Sequence, residues 1–216
     1  MKKTFLKSAL MAVAGFGLMA GSAMATPYSF VSITNNNQAD SAAGEAQLAM
    51  DVVQEDGFVV FKFNNIGTVA SSITDIYFDD DVPLLTFNKF LQSTGVDYGL
   101  GDSPPNLPGG ADPEYHFTSN YAYDSNNPVQ PNGINTYEWL WIYFDTTELN
   151  QFSNIISALD ASTFRVGLHV QGFAGGGSES FINEPGAPIP EPATMLLLGT
   201  GLAGLIAARR RRKAAM

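Results

Sequence analysis

Apolar and polar residues alternate along much of the stretch from residue 46 to residue 173. Over residues 46–53, Leu48, Met50 and Val52 fall on one side and Gln47, Ala49 and Asp51 on the other. That period of two is the pattern of a half-buried strand. Glu55-Asp56-Gly57 follows. Asp-Gly is a hairpin turn signal, so residues 58–63 read as the return strand. Asn64-Asn65-Ile66-Gly67 makes a second turn. Residues 72–78 predict a third strand, with Ile73 and Tyr77 flanking Asp75, and residues 84–91 a fourth. Residues 95–127 are rich in Gly, Pro, Asn and Asp. They predict a long excursion with short extended pieces around residues 114–117 and 120–123.

The strongest strand signal covers residues 137–144. Tyr137, Trp139, Trp141 and Tyr143 share one face; Leu140, Ile142 and Phe144 share the other with Glu138. A strand apolar on both faces is usually central or buried in a sandwich. Thr147 can cap a helix over residues 148–159, where Leu149, Phe152, Ile156 and Leu159 recur at helical spacing. Residues 163–173 alternate again: Phe164, Val166, Leu168 and Val170 inward, and Arg165, Gly167, His169 and Gln171 outward. Gly175-Gly176-Gly177-Ser178 then begins an exit, with Phe181-Ile182 as a last edge contact. Short strands, turn-rich loops and one helix predict a mainly β fold: an antiparallel β-sandwich with one short helix.

The two ends have a different texture. Lys2, Lys3 and Lys7 precede an apolar run over residues 9–20, and Ala23-Met24-Ala25 is a small-x-small cleavage site. Residues 1–25 therefore read as a signal peptide removed by signal peptidase after Ala25, with Ala23 and Ala25 as the two small residues before the cut. At the other end stands Ile189-Pro190-Glu191-Pro192, then an apolar run at 193–208, then Arg209-Arg210-Arg211-Arg212-Lys213. Pro190 and Pro192 lack amide hydrogens and disfavour helix before them, so this step is extended and exposed. The apolar run has 16 residues, about 24 Å of helix against about 30 Å of hydrocarbon. It predicts a marginal transmembrane helix held by a basic tail at 209–213, which stays cytoplasmic. An ordinary C-terminal anchor is the plainer alternative.

A Pro-Glu-Pro step, a short apolar helix and a basic stop, in that order at the C-terminus, resemble the sorting signal of PEP-CTERM proteins. The resemblance implies an exported protein handled by an exosortase, a membrane transpeptidase-like protease, in a Gram-negative host that makes exopolysaccharide. In that frame Pro190, Glu191 and Pro192 are the recognition site, and Arg209, Arg210, Arg211 and Arg212 stop transfer. Residues 71–80, 106–110 and 167–172 resemble segments of an uncharacterised ectodomain recurrent in such proteins. The implied organisation is a signal peptide (1–25), an ectodomain (26–188) and a sorting signal (189–216). The implied itinerary is a transient stay in the cytoplasmic membrane, then the cell surface or extracellular matrix.

Composition sharpens this. Eight of the 11 basic residues lie in the two terminal segments. Between residues 26 and 188 only Lys62, Lys89 and Arg165 are basic, against 20 of the 21 acids, a net charge of −17. Such a surface repels nucleic acid, anionic lipid and acidic polysaccharide unless cations bridge them. With no cysteine, the chain has no thiol chemistry and no thiolate metal site. The ectodomain is long enough to bury about 70% of its unfolded surface.

Candidate chemistry is sparse. Asp79-Asp80-Asp81 at a strand end is a possible Ca2+ site, helped by Asp75 or loop carbonyls, because calcium takes several oxygens from flexible loops. An ordinary solvated turn fits the three aspartates as well. Asp97 and Asp102, around Gly99 and Gly101, form a weaker version. Tyr137, Trp139 and Trp141 can form a sugar-stacking platform if their face is exposed; core packing is the competing explanation. His116 and His169 form no motif. Ser178, in Gly-Gly-Ser-Glu-Ser, is not a nucleophile elbow, and there is no phosphate-binding or dinucleotide fingerprint. The expectation is a non-enzymatic surface or matrix protein associated with exopolysaccharide. The alternatives are a calcium-dependent carbohydrate-binding module and a polysaccharide hydrolase using paired carboxylates.

Overall fold

The structure, a computed structural model, describes residues 25–80, 85–101, 103–145 and 151–185. Two antiparallel sheets pack face to face. The first runs β1 (Ala25–Tyr28), β3 (Leu48–Glu55), β4 (Phe58–Asn65), β10 (Trp139–Asp145), β6 (Thr86–Gln92). The second runs β2 (Phe30–Ser32), β12 (Glu179–Asn183), β11 (Phe164–Gln171), β5 (Ser72–Asp80), β8 (Tyr121–Ser125), β7 (Tyr98–Leu100), with β9 (Ile134–Asn135) also paired to β5. Three helices, α1 (Gln38–Gln47), α2 (Val129–Asn132) and α3 (Gln151–Asp160), complete the described elements.

The predicted alternation builds the core. Met50 and Val52, Phe61 and Phe63, and Leu140, Ile142 and Phe144 point inward from the first sheet. Ile73, Ile76, Phe78, Phe164, Val166, Leu168 and Val170 meet them from the second. Rings interlock across the gap: Phe61 lies 5.3 Å from Phe78, edge to face, and Phe78 lies 5.6 Å from Phe144. Edge-to-face contact sets the positive ring edge against the negative ring face.

The structure differs from the sequence expectation at several places. Residues 46–47 close α1, a helix not expected from periodicity, and the strand starts only at Leu48. Asn37 caps α1 by accepting from the N–H groups of Ala39 and Asp40. Gly44 lets the helix lie on the sheet, since a Cβ there would fall 2.1 Å from Phe181 Cζ. Phe181 itself belongs to β12, which is not an edge contact but sits between β2 and β11. In α3 the buried residues are Gln151, Ile155 and Leu159, with Phe152 and Ile156 only partly covered; Leu149 lies outside the described residues. The helix is rotated relative to the expected face.

The long excursion covers the outer face of the second sheet. Leu107 and Phe117 pack there on Ile33, Tyr77, Ala122 and Ile182, forming a second apolar cluster. Gly167 is required under it, because a Cβ would lie 2.7 Å from Leu107 Cδ2 and 3.0 Å from Phe117 Cζ. Residues 114–115 form a turn here rather than the extended piece expected, with Tyr115 N donating to Asp112 O at 2.9 Å. The backbone chain turns down onto its own cluster at that point instead of adding a strand.

Candidate functional site

The outer face of the first sheet has no such lid among the described residues. Strand register sets out what it presents. Asp51 on β3 is opposite Lys62 on β4, Lys62 is opposite Trp141 on β10, and Trp141 is opposite Leu91 on β6. One pleat repeat away, Asn64 is opposite Trp139. Successive side chains on a strand point to opposite faces, so Trp139, Trp141 and Tyr143 point away from the core that Leu140, Ile142 and Phe144 enter. The two tryptophans thus lie outside the main core, and Trp141 packs instead on the small outer cluster of Val53, Val60 and Tyr143. Both are half-buried, and the Leu91 beside them is 45% exposed.

Tyr137 behaves differently from the expected strand. It precedes β10 with a φ of 68°, donates its N–H to Asn65 O at 2.6 Å, and is 69% exposed. The pleat therefore does not align it with the tryptophans; it stands exposed at the head of their row. Ser93 fixes Trp139: the serine Oγ accepts from Trp139 N, and Ser93 N and Oγ both donate to Trp139 O, all at 3.1 Å.

The two tryptophan rings lie 4.8 Å apart at 38°. The Lys62 ammonium sits 4.0 Å above Trp141 and pairs with Glu55 at 3.0 Å. The Lys89 ammonium lies 4.8 Å from the Tyr143 ring and 5.3 Å from Phe58. Val53, Val60 and Tyr143 form a small apolar base under this end of the strip. Two of the ectodomain's three cations thus stand over aromatic faces here, where the ring quadrupole attracts them. Burial pushes the Asp51 carboxyl up from its ordinary value, opposed by the neighbouring Lys62 charge. Burial, and then the carboxylates of Glu55 and Asp56, likewise raise the Tyr143 phenol. The result is a shallow aromatic strip with hydrogen-bonding side chains at its margin, suited to stacking against flat ligand faces.

The acidic cluster is arranged otherwise. Asp79 and Asp80 are adjacent on β5 and so face opposite sides. Asp79 pairs with the Arg165 guanidinium, which also donates to the carbonyls of Tyr115 and His116. Asp80 donates its N–H to Asn120 Oδ1 at 2.8 Å, and its carboxylate accepts from Tyr121 OH at 3.4 Å. Burial, then the Asp80 charge, hold that phenol well above its ordinary range. Asp81 lies outside the described residues, as does Asp102. The structure does not bring Asp79 and Asp80 to one point, and no three His, Asp or Glu side chains converge on a metal position among the described residues.

A polar row crosses the second sheet beside the lid. His169 Nδ1 lies 2.9 Å from Asp75 Oδ2, and Thr74 Oγ1 donates to the same oxygen at 2.6 Å. Thr74 is the extra residue of a bulge, since His169 is opposite Asp75 but Val170 is opposite Ile73. Ser180 is opposite His169 on the other side. Serine, histidine and aspartate therefore stand in line on adjacent strands. Nucleophilic catalysis needs a hydrogen bond from serine to base and a path for substrate. Ser180 is fully buried and its Oγ has no hydrogen-bond partner among the described residues. The row satisfies and fills; it does not form a working triad.

Sequence reasoning missed Glu179. This carboxylate is 1% exposed and accepts from Thr34 Oγ1 at 2.5 Å, Asn36 N at 2.9 Å and Asn37 N at 2.6 Å. It caps α1 from a strand more than a hundred residues away, so no local pattern signals it.

Residues 188–212 match the model of the PEP-CTERM protein-sorting motif. Comparison with curated proteins and with solved structures gives no match. The chain thus carries a PEP-CTERM sorting signal, which implies export to the cell surface and processing by an exosortase. The match does not reach the ectodomain. Pro190, Glu191, Pro192, the run at 193–208 and the basic tail lie outside the described residues, as does the expected signal peptide up to residue 24. Among the described residues no helix is long and apolar enough to cross a membrane.

Proposed function

We propose that this chain is a non-enzymatic surface or matrix protein, delivered by the exosortase route, that binds a neutral exopolysaccharide through the Tyr137–Trp139–Trp141 strip. The observation that carries this reading is the outward position of Trp139 and Trp141 on the first sheet, where both rings keep part of their surface exposed. Large aromatics turned away from a core gain little unless a partner covers them. A pyranose ring presents a flat apolar face to such rings and hydroxyls to the polar margin, here Asn64, Asp51 and Lys62. The net charge of −17 in the ectodomain disfavours acidic polymers, which points to a neutral one.

The test is retention of the chain by the host's own extracellular polysaccharide, with Trp139→Ala and Trp141→Ala variants beside the parent. Retention by the parent and loss in both variants is the expected result; equal retention by all three would overturn it. Deleting residues 190–216 should leave polysaccharide binding intact and change the cellular destination. Normal sorting after that deletion would refute the role given to the tail.

A further inference from the structure

Asp40 stands apart from the strip and from the aspartates of β5. It lies in the first turn of α1, is 6% exposed, and its Oδ2 is shielded from solvent without a hydrogen-bond partner among the described residues. An unpaired buried carboxylate oxygen is costly, because burial removes its water and returns nothing. The three basic side chains among the described residues are engaged elsewhere: Lys62 pairs with Glu55, Arg165 with Asp79, and Lys89 lies against Tyr143. Glu179 adds a second buried carboxylate at the same helix end, but its charge is met by three donors.

What faces the Asp40 oxygen is the glycine loop. A Cβ on Gly177 would lie 3.0 Å from Oδ2, and one on Gly175 would lie 3.7 Å from it. The loop wraps this oxygen closely, yet no loop N–H reaches it. Side chains are missing at the two positions where they would fill the space above the carboxylate. Gly175 and Gly176 are themselves exposed, which leaves a short route from solvent.

We propose that Asp40 Oδ2 and the loop at residues 175–178 bind one calcium ion. A hard cation takes carboxylate and carbonyl oxygens at about 2.3–2.6 Å, and flexible loop carbonyls suit its irregular geometry. The ion supplies the positive charge that the ectodomain's three cations do not bring to this helix end. With one carboxylate ligand the site belongs to the weak class of extracellular modules, with a Kd on the order of 10⁻⁴–10⁻³ M. It ties the N-terminus of α1 to the turn before β12, two segments far apart in sequence.

The test uses the full chain in detergent, stripped of divalent ions by a chelator and dialysed, then titrated with calcium chloride alone. Calorimetry should report one binding event. Thermal melts at 10 mM calcium should shift up by roughly 3–8 °C. Asp40→Asn should weaken binding by about tenfold or more and abolish the shift. Gly177→Ala keeps an allowed backbone, since its φ is not positive, and places a methyl 3.0 Å from Oδ2. It should weaken binding in a folded chain even if Asp40→Asn does not fold. A combined Asp79→Asn, Asp80→Asn, Asp81→Asn chain should bind as the parent does. No heat and no shift in the parent would mean that water alone fills the space, and would overturn the proposal. So would binding that survives both Asp40→Asn and Gly177→Ala, or binding lost only in the triple variant.

Discussion

Trp141→Ala separates a binding strip from a core. Trp141 is half-buried on the outer face of β10, whereas Phe144, three residues on, is fully buried on the inner face. A buried tryptophan removes ~150–250 Å² from water, and the largely covered Trp141 ring corresponds to roughly 150 Å². At about 25 cal/mol per Å² this is at most ~4 kcal/mol, an upper estimate because the unfolded chain already covers part of it, which leaves about 2–3 kcal/mol. Loss of the Lys62 contact at 4.0 Å adds about 0.5–1 kcal/mol. The open face leaves no sealed cavity, so no cavity cost is added. The expected loss is therefore about 3 kcal/mol. Phe144→Ala empties a site ringed by Phe61, Phe78 and Tyr123 and should cost about 3–5 kcal/mol. Urea unfolding followed by circular dichroism gives both values on the ectodomain. The same Trp141→Ala sample, still folded, should lose polysaccharide affinity by about 30-fold, the scale of a tryptophan anchor contributing ~2 kcal/mol. A stability loss larger than that of Phe144→Ala, or unchanged polysaccharide binding, would refute the reasoning.

Three further outcomes follow from contacts elsewhere. Glu179→Gln replaces a carboxylate held by three donors with a group that turns an amide N–H toward one of them; it should cost about 2–4 kcal/mol in urea melts, while Glu45→Gln, at an exposed bond to Ser32 N, should cost under ~1 kcal/mol. Gly167→Ala forces Leu107 and Phe117 off the sheet and should cost about 1–3 kcal/mol, visible as earlier proteolysis in the long excursion. Asp51 has a raised folded pKa, so its charged form is disfavoured in the native state. The penalty is absent below the ordinary carboxylate pKa and complete above the raised one. Asp51→Asn should therefore stabilise the fold at neutral pH and lose that advantage as the solution is acidified, which thermal melts across pH will show.

The sheets were legible because their signal is local. Residues 48–52 and 164–170 alternate with period two, and both strands form with the inward set expected, while residues 58–63 form the return strand that the Asp-Gly turn predicts. What failed to show in sequence depends on distant partners. α1 reads as polar and small, QADSAAGEAQ, and holds its place through Gly44 against Phe181 and through Glu179 at its N-terminus. β12 looks like an edge remnant until β2 pairs on its far side. The three aspartates read as one cluster because sequence adjacency hides the pleat, which sends Asp79 and Asp80 to opposite faces. The sorting tail was the easiest part to read, since its three features are contiguous and need no fold.

The two outer faces explain why the strip, and not the histidine row, is the site proposed for a ligand. On the second sheet the chain spends its long excursion covering Tyr77, Ala122 and Ile182, and the polar groups at that lid's margin bind one another: Arg165 to Asp79, His169 to Asp75. Their donors and acceptors are already matched, so a ligand there must first break what the fold has made. On the first sheet Trp139 and Trp141 keep part of their apolar area exposed, beside an exposed Leu91 and Tyr137. Binding on this face removes the remaining apolar surface from water, and where it meets Trp141 it must share the ring with the Lys62 ammonium. If the protein stands among polymer chains as proposed, it needs no deep pocket for that purpose, because many weak stacking contacts along one polymer add through linkage rather than through the strength of any one.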